Sequence, residues 1–405
     1  MKYHLSVNAS LNAASPRAIP LLDLRAQHAS LETELLEAIR EVLETGRFIL
    51  GDAVESFEAE LAKLCERRHA VACNSGTDAL WLAMRGLGIG PGDAVLCPAY
   101  SFFASAATIA RIGARPIFVD IDPLSLNMDP EDAIRRVATR TDIRAVMSVD
   151  LFGRICELGP LEALCRERDW PIIEDAAQSI GALDRSGAGP GQKSRVACFS
   201  FYPTKNLGAL GDAGGLVTSD SDLARVIARL RVHGEKNPGV YEEVGINSRL
   251  DAIQAVALSI KLRHLEGWTR TRCQLALHYD ALFAEHGAHA ATEPLGSGSL
   301  ALQTPTPGDG LGRHTYHRYV VRVPAEARPR VIEGLRQEGI ASEIYYRLGL
   351  HQQPALARFA PAPDEAPYPE TERACSEALT LPLFPELSHD DIERVVDCVS
   401  RILKA

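Results

Sequence analysis

Five clusters of residues in this chain have the types and spacing to do chemistry, and one lysine stands at their centre. An apolar, strand-like run from Val196 to Phe201 ends in Tyr202-Pro203-Thr204-Lys205-Asn206-Leu207, and a Gly-rich segment, Gly208 to Gly215, follows. A lysine at the end of a buried strand can lose its proton through desolvation, and the free amine is a nucleophile toward aldehydes. The second cluster is Glu174-Asp175-Ala176-Ala177-Gln178-Ser179, where two acids close an apolar run. Buried acids need a positive or donating partner. A protonated ring nitrogen would suit Asp175, whose carboxylate would keep it protonated, and Ala177 is small enough for a flat ring to rest on. In the third, Ser75-Gly76-Thr77-Asp78, a glycine at a strand-to-helix turn frees N–H groups where the helix dipole favours a phosphate. The fourth, Pro98 to Phe103, puts aromatics at a similar turn, where one could cover a planar ligand. The fifth is Gly245-Ile246-Asn247-Ser248-Arg249-Leu250-Asp251, ahead of an apolar helix from Ile253 to Leu262.

Taken singly, each cluster also has a plain structural reading. Lys205 could be a surface lysine, Asp175 and Ser75 helix caps, Ser248 the cap of the following helix, and Phe102 and Phe103 core residues. Neither G-x-G-x-x-G nor G-x-x-x-x-G-K-[ST] is present, so the pattern is not that of a dinucleotide or P-loop site.

The elements that must position these groups alternate. Between residues 69 and 220, seven apolar runs read as strands: Ala70–Cys73, Ala94–Cys97, Pro116–Val119, Ala145–Val149, Pro171–Ile173, Val196–Phe201 and Gly215–Thr218. Helical stretches over Thr77–Gly86, Phe102–Ile112, Pro130–Thr139 and Leu158–Arg168 separate most of them. Continuous short apolar strands alternating with helices predict an α/β fold with a sheet covered on both faces. Such sheets take ligands beyond the carboxyl ends of their strands, where Asn74 to Thr77, Tyr100, Asp150, Asp175 and Ser200 all fall. Two amphipathic helices are expected before the sheet, over Leu31–Leu43 and about Ala53–Cys65. After it come a long helical region over Ser248–Glu285, strands at Tyr319–Val323 and Ser342–Tyr346, and helices at Arg328–Glu338 and His389–Leu403. The division expected is an N-terminal arm (1–18), a large domain (19–260) and a smaller α+β domain (261–405).

Composition narrows the function classes. The 405 residues are 46% hydrophobic and 24% charged, ordinary for a soluble globular protein. A net charge of −10 argues against nucleic acid or an anionic membrane as the general partner. No apolar run approaches the ~20 residues of a membrane span, and Met1 to Ile19 lack the compact apolar core of a secretory signal, so a cytoplasmic protein is expected. The 9 cysteines are scattered with no C-x-x-C pair, so neither a disulfide framework nor a metal site is expected.

In this order the clusters resemble the DegT/DnrJ/EryC1/StrS sugar aminotransferases, a branch of the fold type I, pyridoxal-phosphate-dependent transferases. The resemblance runs from about Gly46 to the C-terminus. It includes Gly46-Arg47-Phe48-Ile49-Leu50-Gly51 and Leu381-Pro382-Leu383-Phe384-Pro385 besides the clusters above. It implies a large domain on a mostly parallel seven-stranded sheet and a smaller C-terminal domain. It also implies roles. Lys205 would hold pyridoxal 5′-phosphate as a Schiff base and shuttle the proton between substrate and cofactor. Asp175 would pair with the ring nitrogen, and Gln178 would lie near the ring hydroxyl. Phe102 and Ala177 would cover the two ring faces. Gly76, Thr77 and Ser200 would hold the phosphate, which Asn247 would reach across the interface of a homodimer.

The expected reaction moves an amino group from glutamate to a nucleotide-linked keto-sugar, both substrates using one site in turn. Relatives that aminate C3 tend to carry a glutamine at the position of Gln178, which favours a 3-keto over a 4-keto sugar, and Arg249 and Arg347 could meet a diphosphate. Many relatives have His where this chain has Asp150, a departure that bears on the sugar and not on the reaction. A keto-cyclitol acceptor stays open, as do a sugar dehydratase, disfavoured by the retained Lys205, and a regulatory protein of the same fold.

Overall fold

Seven strands pair into one sheet: β1 (His69–Cys73), β2 (Ala94–Pro98), β3 (Arg115–Val119), β4 (Ile143–Val149), β5 (Ile172–Asp175), β6 (Val196–Ser200) and β7 (Gly214–Thr218). Each lies where the apolar runs predict it, in this computed structural model, which describes residues 17–138, 140–292, 295, 298–305, 312–359 and 367–405. The expected N-terminal arm lies, but for its last two residues, outside them. The strand order is β1-β7-β6-β5-β4-β2-β3, with β7 antiparallel to both neighbours and the other pairs parallel.

Both faces of the sheet are covered, which is why its strands are continuously apolar. Alternation along β6 shows the two layers. Val196 and Cys198 pack in one core with Leu80, Ile109 and Ile227, from the helices Gly76–Gly86, Phe103–Arg111 and Ser221–Leu230. Ala197 and Phe199 pack in the other with Phe57, Leu61 and Leu258, from the helices Asp52–Leu64 and Ala252–Leu262. Truncating the fully buried Phe57 to alanine would cost about 3–5 kcal/mol of stability.

A second body follows. Four short strands, His289–Ala290, Gln303–Thr304, Tyr319–Arg322 and Ala378–Leu381, pair in that order. They share a core with the helices Leu265–Glu285, Arg328–Gln337 and His389–Lys404. Ile19 joins this core and bridges Ile340, so the first described residues pack on the C-terminal body.

Three expectations change. The helical region over Ser248–Glu285 is two helices, Ala252–Leu262 and Leu265–Glu285, broken at Arg263-His264. Asp251, not Ser248, caps the first of them, accepting from the Gln254 N–H. Ser342–Tyr346 is no strand: one bridge, Glu343 to Thr380, is all the sheet pairing it makes, and Ala378–Leu381 takes the place beside Tyr319–Arg322. The helix Ser221–Leu230 was also not foreseen, although Asp220 supplies its cap. Among the described residues no helix is long and apolar enough to cross a membrane.

Candidate active site

Lys205 lies five residues beyond the end of β6, in a turn closed at both sides. The Phe201 N–H donates to Ala213, the Ala209 N–H to Phe201, and the Lys205 N–H to Tyr202, each at 2.8 Å. The side chain is half-buried. Burial first, and then the Arg318 guanidinium, lower the ammonium to a pKa of about 8, with Asp175 pulling the other way. A free amine is therefore accessible near neutral pH, as nucleophilic attack on an aldehyde requires.

Asp175 ends β5, and the sheet register aligns it with Val149 and Cys198 on the neighbouring strands. It is buried. Oδ2 accepts from Ser105 Oγ at 2.7 Å and Oδ1 from the Ala177 N–H at 3.3 Å. Burial raises its pKa in spite of these donors and Lys205. A protonated ring nitrogen is the kind of partner that would return it to the ionised form. Gln178 is fixed at both ends of its amide: Oε1 accepts from the Phe152 N–H at 2.8 Å, and Nε2 donates to Tyr346 Oη at 3.3 Å. Phe152 presents that N–H from a left-handed conformation, φ 59°, which a bulky residue adopts at a cost of about 1–2 kcal/mol. Ala177 is partly exposed beside Asp175. Phe102, 55% exposed, is no core residue, and its ring centroid lies 6.3 Å from that of Tyr346.

The phosphate-type turn is packed to the backbone. Ser75 Oγ caps the helix Gly76–Gly86 by accepting from the Asp78 N–H, while the N–H groups of Gly76 and Thr77 find no partner among the described residues. A Cβ on Gly76 would come within 2.6 Å of the Ser200 Cβ, and one on Gly214 within 2.2 Å of the Ser75 carbonyl carbon. Both positions require glycine because three strand ends converge here: Gly214 pairs with Cys73 on one side and Ser200 on the other. The 245–251 loop reaches the same turn. Ser248 Oγ donates to Asp78 Oδ2 at 2.8 Å and accepts from the Asn74 N–H at 3.2 Å. Asn247 beside it is exposed, and Arg249 Nε is buried without a hydrogen bond.

Two further residues singled out in the sequence border this group: the Asp150 N–H donates to the Asp175 carbonyl at 3.1 Å, and Arg347 follows Tyr346. Asp150 is buried, with its oxygens accepting from the Cys156 N–H at 2.9 Å and from Ser179 Oγ at 2.7 Å. Burial, and then the neighbouring Glu174, hold its carboxyl well above the usual range. Arg347 is exposed and pairs with Glu343. Conversely, the structure adds groups that the sequence reading passed over. Ser105 stands under Asp175. His317 Nδ1 lies 3.1 Å from Asn206 Oδ1, and Asn206 Nδ2 donates to Thr315, which ties the residue after Lys205 to the C-terminal body. Arg318 and Tyr346 complete that wall. The run His314-Thr315-Tyr316-His317-Arg318-Tyr319, polar and aromatic just before a strand, was the available signal.

A lysine with a lowered pKa, a buried acid short of positive charge, free N–H groups at a helix start and an exposed aromatic fit pyridoxal phosphate. The profile of the DegT/DnrJ/EryC1/StrS aminotransferase family matches residues 29–400. The chain belongs to that family. Family members are pyridoxal-phosphate enzymes, and this chain is an aminotransferase with that cofactor. It is 39% identical over 387 residues to a Geobacillus stearothermophilus protein named as a pleiotropic regulatory protein, covering 95% of this chain and 99% of the relative. It is likewise 39% identical over 386 residues to the Acidithiobacillus ferrooxidans UDP-N-acetyl-3-dehydro-α-D-glucosamine 3-aminotransferase, covering 95% and 98%. Among solved structures, S. venezuelae DesV in complex with a ketimine intermediate superposes with a TM-score of 0.87 at 37% identity, covering 96% of this chain and 99% of DesV.

Proposed function

We propose that this protein is a cytoplasmic enzyme that transfers an amino group from glutamate to a nucleotide-linked keto-sugar, a 3-keto in preference to a 4-keto sugar. The single observation that carries the reading is the convergence of Lys205, Asp175 and the Gly76-Thr77 turn at the strand ends of one sheet.

Bound pyridoxal phosphate supplies an electron sink for charge that develops at the substrate carbon. The chain's residues set protonation and geometry. The Lys205 amine holds the cofactor and afterwards carries a proton to and from the substrate carbon. Asp175, oriented by Ser105, keeps the ring nitrogen protonated. Gln178, locked by Phe152 and Tyr346, would hold the ring from its edge, and Phe102 and Ala177 would confine its faces. The N–H groups of Gly76 and Thr77, with Ser200, take the phosphate. The donor's keto acid leaves before the sugar enters, so the kinetics are ping-pong.

A homodimer completes the site, with Asn247 reaching the partner's phosphate. Its exposed side chain, and the exposed Phe48, Ile49, Val240, Tyr241 and Val244 in segments bordering the same loop, support a covered surface here. The name of the Acidithiobacillus relative supports a 3-keto acceptor. The name of the Geobacillus relative favours a regulatory reading, and one assay separates the two. Glutamate should bleach the yellow holoenzyme, and nucleotide-linked 3-keto sugars should restore the colour faster than 4-keto sugars or free keto-cyclitols. Yellow protein that no amino acid bleaches would sink the transaminase reading.

A further inference from the structure

One buried lysine takes no part in the chemistry above. Lys261, near the end of the helix Ala252–Leu262, is 0% exposed, and neither of its partners is a carboxylate. Its Nζ donates to the Gly208 carbonyl at 2.7 Å and lies 2.8 Å from His28 Nε2. Burial lowers its pKa to about 8, so the amine is still mostly charged at neutral pH. Burial, and then Lys261, lower the pKa of His28, which leaves that ring neutral and able to accept.

The acceptor is what singles this contact out. Gly208 is buried three residues after Lys205, and among the described residues Lys261 is the only donor to its carbonyl. The turn around it leaves little room: a Cβ on Gly208 would come within 2.3 Å of the Pro203 carbonyl oxygen, and the Ala209 N–H closes on Phe201. A rotation of the Gly208 carbonyl would press the glycine against Pro203 or lift it away, and Lys205 lies between the two. The other partner is anchored as well. His28 sits in the helix Leu24–Ala29; ahead of it Ile19 and Leu22 pack in the core of the C-terminal body, and after it Leu31 and Leu35 pack on Ala257 and Ile260.

We propose that Lys261 is a positioning residue for the cofactor lysine: its ammonium, received by His28 on one side, holds the Gly208 carbonyl and thereby fixes the turn that carries Lys205. This rests on the reading of Lys205 given above. A buried ammonium is costly unless its donors are met, and a hydrogen bond from a charged donor is stronger than one between neutral groups. Such a bond holds one carbonyl in one direction, which a packed apolar side chain cannot do. The precision matters because an error of about 1 Å in a reacting group can cost about 100-fold in rate.

The test uses Lys261→Met and Lys261→Gln, which have nearly the same size and differ in that the amide can still donate. Apoprotein is mixed with pyridoxal phosphate, and the yellow colour is followed by stopped-flow absorbance. Lys261→Met should capture the cofactor about 10–100-fold more slowly than wild type, at the same final colour per chain. Lys261→Gln should recover at least about threefold of that loss. Pyridoxamine phosphate forms no bond to a lysine, so its affinity, measured calorimetrically, should change by less than about threefold in both variants. Should Lys261→Met fail to fold, His28→Leu takes its place: it leaves Lys261 with one acceptor fewer, and capture should slow about three- to tenfold at unchanged pyridoxamine phosphate affinity. Capture by Lys261→Met at the wild-type rate, equal losses of capture and of pyridoxamine phosphate affinity, or a Gln variant no better than Met would each overturn the assignment. Lys205→Ala separates the two claims. If it turns yellow as fast as wild type, the reading of Lys205 fails and Lys261 positions no cofactor lysine; if it stays colourless while Lys261→Met captures normally, that reading stands and the hold by Lys261 is refuted.

Discussion

The two walls of the site are built by different means. On the sheet side, Gly76, Asp175, Ser200 and Gly214 each lie within three residues of a strand end, and the hydrogen-bonded register sets their spacing. On the other side, His317, Arg318, Tyr345 and Tyr346 belong to the C-terminal body and reach the site through long-range contacts. Tyr100 is one tether: its hydroxyl donates to the Tyr345 carbonyl and accepts from the Tyr346 N–H. Asn206, bonded to Thr315 and His317, is another. The sheet wall is dictated by local chain geometry and fits the cofactor common to the family. The tethered wall depends on how the two bodies meet, and it is where substrate choice can vary.

That contrast can be broken experimentally, and the largest effects belong on the sheet wall. Lys205→Ala should lower turnover by about 10³-fold or more, a loss of at least about 4 kcal/mol of transition-state stabilisation, with an unchanged circular dichroism spectrum. Near-normal transamination by that variant would refute the mechanism. Asp175→Asn keeps the shape and removes the charge, and a fall in kcat of about 100-fold, or ~3 kcal/mol, is expected. An Asn variant within a few-fold of wild type would show that Asp175 acts through packing.

The lowered pKa of Lys205 adds a pH dependence. With the amine titrating at about 8, the rate at which apoprotein captures pyridoxal phosphate should rise about tenfold between pH 7 and pH 9. The sign for stability follows. The folded pKa lies below the ordinary 10.5, so the charged amine destabilises the apoprotein below pH 8, and this penalty fades between pH 8 and 10.5. Stopped-flow absorbance and melting scans across that range check both statements; a flat capture profile would place the nucleophile elsewhere. The smallest effect tests the tether. Tyr100→Phe removes one hydroxyl between the bodies and should cost about 1–2 kcal/mol, read as a several-fold rise in KM with little change in cofactor affinity. A cofactor defect instead would mean that the walls are not separable.

The same contrast explains what the sequence reveals. All seven strands of the large sheet were legible, because strands buried on both faces leave continuous apolar runs that end in Gly, Pro or acidic residues. So were the groups at their ends, once the resemblance gave them roles. Ser105 was not, since a serine one turn inside an apolar helix carries no mark of the aspartate that it supports. Arg318 was not, because what sets it apart is that no carboxylate of the described residues pairs with it while its guanidinium lies over the Tyr345 ring, which only the folded chain displays. The misread Ser342–Tyr346 shows the opposite error. Its β-type residues form a connecting loop that Tyr100 holds, and tertiary contact overrides local propensity.

The central claim, that Lys205 is the residue that takes the cofactor, has a direct measurement. Borohydride reduction of the yellow holoenzyme fixes the cofactor covalently to its lysine, and peptide mass spectrometry after digestion locates the pyridoxyl group. The account predicts that group on Lys205, in the peptide spanning Tyr202 to Gly208, at close to one per chain. Its appearance on another lysine, such as the buried Lys261 whose pKa also falls to about 8, or a yellow Lys205→Ala protein labelled as fully as wild type, would contradict it.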